Sequence, residues 1–178
     1  LNDLEDMLSG FAYDACYNHS AQSMKNYFLV WDYAINQGFA FGSGMGTNHH
    51  YGYQIRKIYT TAWLMRDAIW KAPNRDNILS ALIFWSALQE TRIPYQYGRD
   101  ELLDSWHTLL MPKTISALMF VDERERARAL TGLSRWLSGS LQYSPGTIGG
   151  IKVDGTTFHH GGFYPAYTTG VLAMVGQF

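Results

Sequence analysis

The chain has 178 residues, 47% hydrophobic and 16% charged, with a net charge of -1. This composition excludes a disordered chain and points to a packed core of ordinary domain size. Without a basic run or a long apolar segment, neither nucleic acid nor a membrane is the expected partner, and one cysteine, Cys16, leaves no internal disulfide.

Taken in chain order, the pattern is helical nearly throughout. Met24, Tyr27, Phe28, Trp31 and Ile35 recur at helical spacing and predict a helix over 20–37, with Ser20 as N-cap and Gly38 as the glycine that ends it. A glycine-rich loop follows over 41–53 and carries Asn48, His49 and His50. Further helices are expected over 53–71, ended by Pro73 and Asn74, and over 76–91, ended before Pro94. A fourth covers 99–120, with an interruption at Pro112, and a fifth covers 122–141, with Asp122 and Glu123 in its first turn. Residues 144–150 read as a turn-rich loop, 151–156 as a short extended piece and 159–167 as a second His- and Gly-bearing loop before a last helix. Sequential helices with such links favour antiparallel hairpins, so the fold class is all-α.

The two His-His loops are where function is expected, because loops on a rigid helical frame carry it most often. His160 and Tyr167 stand seven residues apart across a turn and can face one cleft, a pairing suited to accepting and donating protons. The alternative is that each histidine is simply hydrogen-bonded or solvated. The aromatic content is 15%, useful for stacking on sugar rings but equally for filling a core. Zinc is weighed and set aside: adjacent histidines seldom ligate one ion, and neither loop has the i, i+4 spacing of a zinc protease. The Gly42-Ser43-Gly44-Met45-Gly46 run lacks the lysine of a phosphate loop. No Gly-x-Ser-x-Gly elbow is present, and nothing pairs two carboxylates as in a glycosidase.

Asp154-Gly155-Thr156, followed by His160-Gly161-Gly162-Phe163-Tyr164-Pro165-Ala166-Tyr167, resembles the chondroitin ABC lyases of polysaccharide lyase family 8. Gln37-Gly38-Phe39, Gly42-Ser43, His49-His50, Gly52-Tyr53, Arg56, Leu64-Met65 and Asp67-Ala68 resemble the same family in the same order. The likeness spans roughly Ala34 to the C-terminus. It implies an incomplete (α/α) toroid, truncated at both ends, from a longer bacterial enzyme that is periplasmic or secreted. The apolar run from Gly170 to Phe178 and the missing initial Met fit that expectation of a fragment.

The resemblance also implies β-elimination on chondroitin and dermatan sulfate. Tyr167 would stand near C5 and O4 of the uronate. His160, or His49 or His50, would be the base for iduronate. Asn48 would donate to the substrate carboxylate. Tyr53, Arg56, Trp106, His107, His159 and Tyr164 are candidates for contact with sugar rings or sulfates, with packing as the alternative reading of Tyr53, Arg56, Trp106 and His107. No cofactor is required by the sequence, and calcium is a candidate in the longer enzyme. The family uses an Arg and a Glu that follow the tyrosine of the second loop, and Phe178 ends the chain before either, so the fragment alone is expected to be inactive. The competing readings are a non-catalytic glycan-binding helical domain and a glycoside hydrolase on a similar toroid.

Overall fold

The structure, a computed structural model, describes residues 1–44, 51–97 and 102–177. It is mostly helical. The first helix, α1 (Asn2–Tyr17), was not among the expected elements, although Leu4, Leu8, Phe11, Ala12 and Ala15 give it an apolar stripe. A three-residue link with His19 in the left-handed region turns the chain into α2 (Ala21–Asn36), which packs along α1. The ends of α2 agree with the sequence. Ser20 accepts the Ser23 N–H at 3.2 Å, and Gly38, at φ 102°, lets the Phe39 and Gly38 N–H groups donate to the carbonyls of Ala34 and Ile35.

The expected 53–71 helix is three pieces: a 3₁₀ turn (Tyr51–Gln54), α3 (Arg56–Leu64) and α4 (Arg66–Lys71). Thr61 lies just before the break at Met65, and its hydroxyl bonds back to the carbonyls of Lys57 and Ile58, a habit that bends helices. The expected 76–91 helix stops early as α5 (Arg75–Trp85), because Ala87 takes a left-handed conformation at φ 55°. A 3₁₀ turn (Leu88–Arg92) then packs on α8 (Glu123–Ser140), where only the absence of a side chain at Gly132 admits the Thr91 carbonyl. Asp122 caps α8 by accepting the Arg124 and Glu125 N–H groups, both at 2.9 Å.

One helical run joins α6 (Leu102–Asp104), a π turn (Ser105–Leu109) and α7 (Leu110–Leu118). The interruption expected at Pro112 falls one turn earlier. A helix proline has no N–H for the carbonyl four residues back and its ring crowds that group, here Thr108, inside the widened turn.

Residues 150–163, expected as a short extended piece and a loop, form a small sheet within the mostly helical domain. Strands β1 (Gly150–Ile151), β2 (Thr157–His159) and β3 (Gly162–Phe163) form an antiparallel sheet in the order β1-β2-β3. Asp154 accepts the Thr156 N–H at 3.0 Å and hydroxyl at 2.7 Å, and Gly155 sits at φ 82°, so Asp-Gly-Thr builds the turn between β1 and β2. The buried Lys152 ammonium donates to Ser144 Oγ at 2.8 Å and the Ile148 carbonyl at 2.5 Å, tying the preceding loop to the sheet. Helix α9 (Pro165–Val175) follows, with the proline in its first turn, where a missing N–H costs nothing.

Two apolar clusters organise these elements. The larger joins α1–α5 and α7 around Trp31, Tyr27, Tyr59 and Phe39, with Phe39 stacked on Trp85 at 5.2 Å. The smaller gathers Leu102, Leu103, Trp106, Trp136 and Val171, with Tyr167 packed against it. Polar side chains gather around Tyr167, on the edge of that second cluster.

Candidate active site

Four segments far apart in sequence supply the site. The 3₁₀ turn brings Tyr53. The α6–π run brings Asp104 and His107. The β2–β3 hairpin brings His159 and His160, and α9 brings Tyr167. Gly52 permits the first approach, because a Cβ there would collide with the side chain of Thr108 in the π turn. Arg56, at the start of α3, clamps the same junction: its Nη2 donates to the His107 carbonyl at 2.7 Å, and its guanidinium lies 5.4 Å from the Tyr53 ring centre.

The β2–β3 connection is a two-residue turn of His160 and Gly161, at φ 51° and 72°, between the paired residues His159 and Gly162. Positive φ at both positions is the turn type whose twist suits a hairpin, and histidine is among the residues that tolerate it. The turn leaves His160 exposed while His159 is buried, at 3% exposure. Their rings lie 3.8 Å apart, tilted by 34°. His159 in turn lies nearly parallel to Tyr167, centres 5.2 Å apart at 13°. His160 therefore stands one ring further from Tyr167 than its neighbour does.

Asp104 is buried beneath this stack, at 4% exposure. The Tyr167 hydroxyl donates to its Oδ1, and its Oδ2 faces His159 Nε2 at 3.6 Å. The Tyr167 oxygen is also hydrogen-bonded to the Tyr53 hydroxyl, which in turn meets His107 Nδ1 at 3.0 Å. Each phenol has one proton. With the Tyr167 proton spent on Asp104, Tyr53 must donate to Tyr167, and His107 must carry its proton on Nδ1 and donate to Tyr53. The result is a directed chain, His107 to Tyr53 to Tyr167 to Asp104, in which every donor points toward the carboxylate.

The electrostatics follow. Burial pushes the Tyr167 phenol well above its ordinary value, and the bond it donates to Asp104 pushes it further. Burial lowers His107, reinforced by the Arg56 charge and opposed by Asp104, so its imidazole is neutral near pH 7. Asp104, His159 and His160 bring possible ligand atoms within 4.8 Å of one another. One carboxylate with two imidazoles is not the oxygen-rich set that calcium takes, so this group does not fit that ion. We read it as an acid–base cluster.

Among the residues singled out from sequence, the structure gathers Tyr53, His107, His159, His160, Tyr164 and Tyr167. Tyr164 is exposed at the head of α9, edge-on to both His159 and Tyr167. Trp106 follows the packing alternative: it is fully buried in the second cluster and donates to Ser140 Oγ at 2.9 Å. Asn48, His49 and His50 lie outside the described residues. Asp104 was missed, since a lone aspartate in a helix reads as a solvated residue. Its one signal was position, between the apolar Leu102-Leu103 and Trp106, where a solvated face is not expected.

A helical frame with a tyrosine–histidine–carboxylate cluster at one edge is the arrangement to compare with known proteins. A family model described as "Lyase, catalytic" matches residues 1–178, and the chain belongs to that family. It is 35% identical over 154 residues to a chondroitin sulfate ABC exolyase of Bacteroides thetaiotaomicron, covering 85% of this chain and 15% of the relative. It is 31% identical over 150 residues to a chondroitin sulfate ABC endolyase of Proteus vulgaris, covering 83% and 15%. A chondroitin sulfate ABC exolyase of the same organism is 33% identical over 147 residues, covering 80% and 14%. The chain thus spans about 15% of the length of these curated relatives.

Proposed function

We propose that this chain is part of the helical catalytic domain of a polysaccharide lyase that cleaves chondroitin and dermatan sulfate by β-elimination, as one arc of a helical toroid. The observation that carries the reading is the half-buried Tyr167 hydroxyl, set in a directed hydrogen-bond chain beside two neighbouring histidines. Elimination breaks the bond from C4 to O4 of the uronate and removes the proton from C5, forming the C4–C5 double bond. In glucuronate both groups lie on one face, so one phenol can take the proton from C5 and return it to O4. In iduronate the C5 proton lies on the opposite face, and His160, exposed on its hairpin turn, is the base we assign to it. Neutral imidazole suits that task near pH 7. Donors to the substrate carboxylate would stabilise the enolate-like intermediate; Asn48 is our assignment for one of them. Residues of such a site act as a unit, so we expect turnover from the full-length protein, acting in the periplasm or outside the cell.

The test is ultraviolet absorbance of the full-length protein incubated separately with chondroitin sulfate and dermatan sulfate. Rising absorbance from unsaturated uronate with both is expected. A folded protein that cleaves neither sinks the reading, retained binding without cleavage would mark a glycan-binding domain, and saturated products would mark a hydrolase.

A further inference from the structure

The Tyr167 phenol presents a chemical difficulty. To remove a carbon-bound proton it must act as a base, yet burial and a neighbouring carboxylate both hold it protonated. The same geometry offers a way out, because the proton that blocks Tyr167 is already hydrogen-bonded to a buried carboxylate.

We propose that Asp104 is the proton acceptor behind Tyr167, so that the phenol works as a relay and never needs to ionise first. This rests on the lyase reading above. As the Tyr167 oxygen takes the C5 proton, its own proton passes to Asp104 Oδ1, and the electron pair of the C5–H bond is left on the substrate. When the C4–O4 bond breaks with its electron pair on O4, Tyr167 gives that oxygen a proton and recovers one from Asp104. One proton leaves C5, one arrives at O4, and Asp104 and Tyr167 end as they began. Negative charge never accumulates on the phenol, beside a substrate that is itself anionic.

The surroundings are arranged for this direction of travel. Tyr53 donates into the Tyr167 oxygen and His107 donates into Tyr53, so no neighbour in the chain competes for the proton of Tyr167. His159 faces the other carboxylate oxygen at 3.6 Å, and the His160 ring lies against His159 with centres 3.8 Å apart. Arg56 is committed to the His107 carbonyl. Lys113, buried on α7, has its ammonium 3.2 Å from Ser105 Oγ and 5.5 Å from the Trp136 ring centre.

The experiment is the pH profile of kcat/KM for a glucuronate-containing chondroitin with the full-length protein and its Asp104→Asn variant. Asparagine keeps the shape and the hydrogen-bond acceptor but cannot take a proton. With the relay, the wild type rises through an acid limb and is then flat from neutral into alkaline pH. Asp104→Asn loses about 10²- to 10⁴-fold, the usual reach of one acid–base group, and its residual rate climbs with pH as phenolate forms. A fall in rate with an unchanged profile marks a purely structural role and overturns the relay, as does no fall at all. The wild-type profile decides even if the variant fails to fold: a rate climbing tenfold per pH unit through pH 9 makes Tyr167 a pre-formed phenolate and excludes the relay. A wild type that releases no unsaturated uronate fails the lyase reading itself, whereas normal wild-type turnover with an indifferent Asp104→Asn fails only the relay.

Discussion

Two tyrosines, Tyr59 and Tyr167, divide the molecule's chemistry. Tyr59, in the larger cluster, donates to the Leu82 carbonyl at 2.7 Å, and Tyr167, at the edge of the smaller one, donates to the Asp104 carboxylate. Burial raises both phenols above their ordinary value. The difference lies in the acceptor. A backbone carbonyl can only hold a proton in place, whereas a carboxylate can receive it. Tyr59 is fully buried and locks α3 to α5, while Tyr167 is half-buried and its acceptor can titrate. Burial by itself therefore does not mark a working tyrosine; the chemistry of its partner does.

The contrast can be broken from either side. The largest expected effect is on turnover: Tyr167→Phe removes one oxygen from a side chain already at the cluster's edge. It should lower kcat/KM of the full-length protein by about 10²- to 10⁴-fold while the far-ultraviolet circular dichroism stays unchanged. Equal loss of folded signal and activity would place Tyr167 with Tyr59. The opposite pattern is expected in the larger cluster, where Trp31 is fully buried. Trp31→Ala should cost about 3–5 kcal/mol in denaturant unfolding. A smaller cost would mean that this cluster does not carry the frame.

Gly52→Ala joins the two regions, since its Cβ would strike Thr108. Overpacking there should cost about 1–3 kcal/mol, and it should reduce turnover of the surviving folded protein by parting Tyr53 from His107. Unchanged activity would show that the chain ending at His107 is dispensable.

The smallest effect concerns acid. His107 is depressed below 6.5, so its neutral form favours the folded state above that pH, and this contribution is lost as pH falls through 6.5 toward the folded value. His107→Asn should flatten the decline of Tm over that window. A decline of the same slope in the variant would assign it to other groups.

Much of the frame was legible because helix ends carry local signals. Ser20 and Gly38 each act on backbone groups within a few residues as their type and position foretold, while Asp122, expected in the first turn, stands one residue earlier and caps it. Pro112 announced an interruption whose place it did not fix, and the breaks at Met65 and Ala87 carry no proline or glycine to announce them. The sheet was hidden for a related reason: its strands have two or three residues, too short for an alternating pattern. Of the site, His160 and Tyr167 stood out because one loop holds both. Asp104 did not, because 63 residues separate it from the hydroxyl it accepts and only the tertiary fold sets its helix register against α9.

That register hangs on the π turn of Ser105–Leu109. A turn of this kind holds one residue more than an ordinary helix needs, so it works as a phase shifter between α6 and α7. Deleting a single residue there would let the run close as an ordinary helix, drawing in and turning α6 against α7 by less than the roughly 100° that one helical residue spans. With Ile115 and Ala117 anchored in the core, Asp104 would swing away from Tyr167. The carboxylate's aim and the frame's packing are thus tuned separately, by the length of one turn rather than by the identity of any side chain in it.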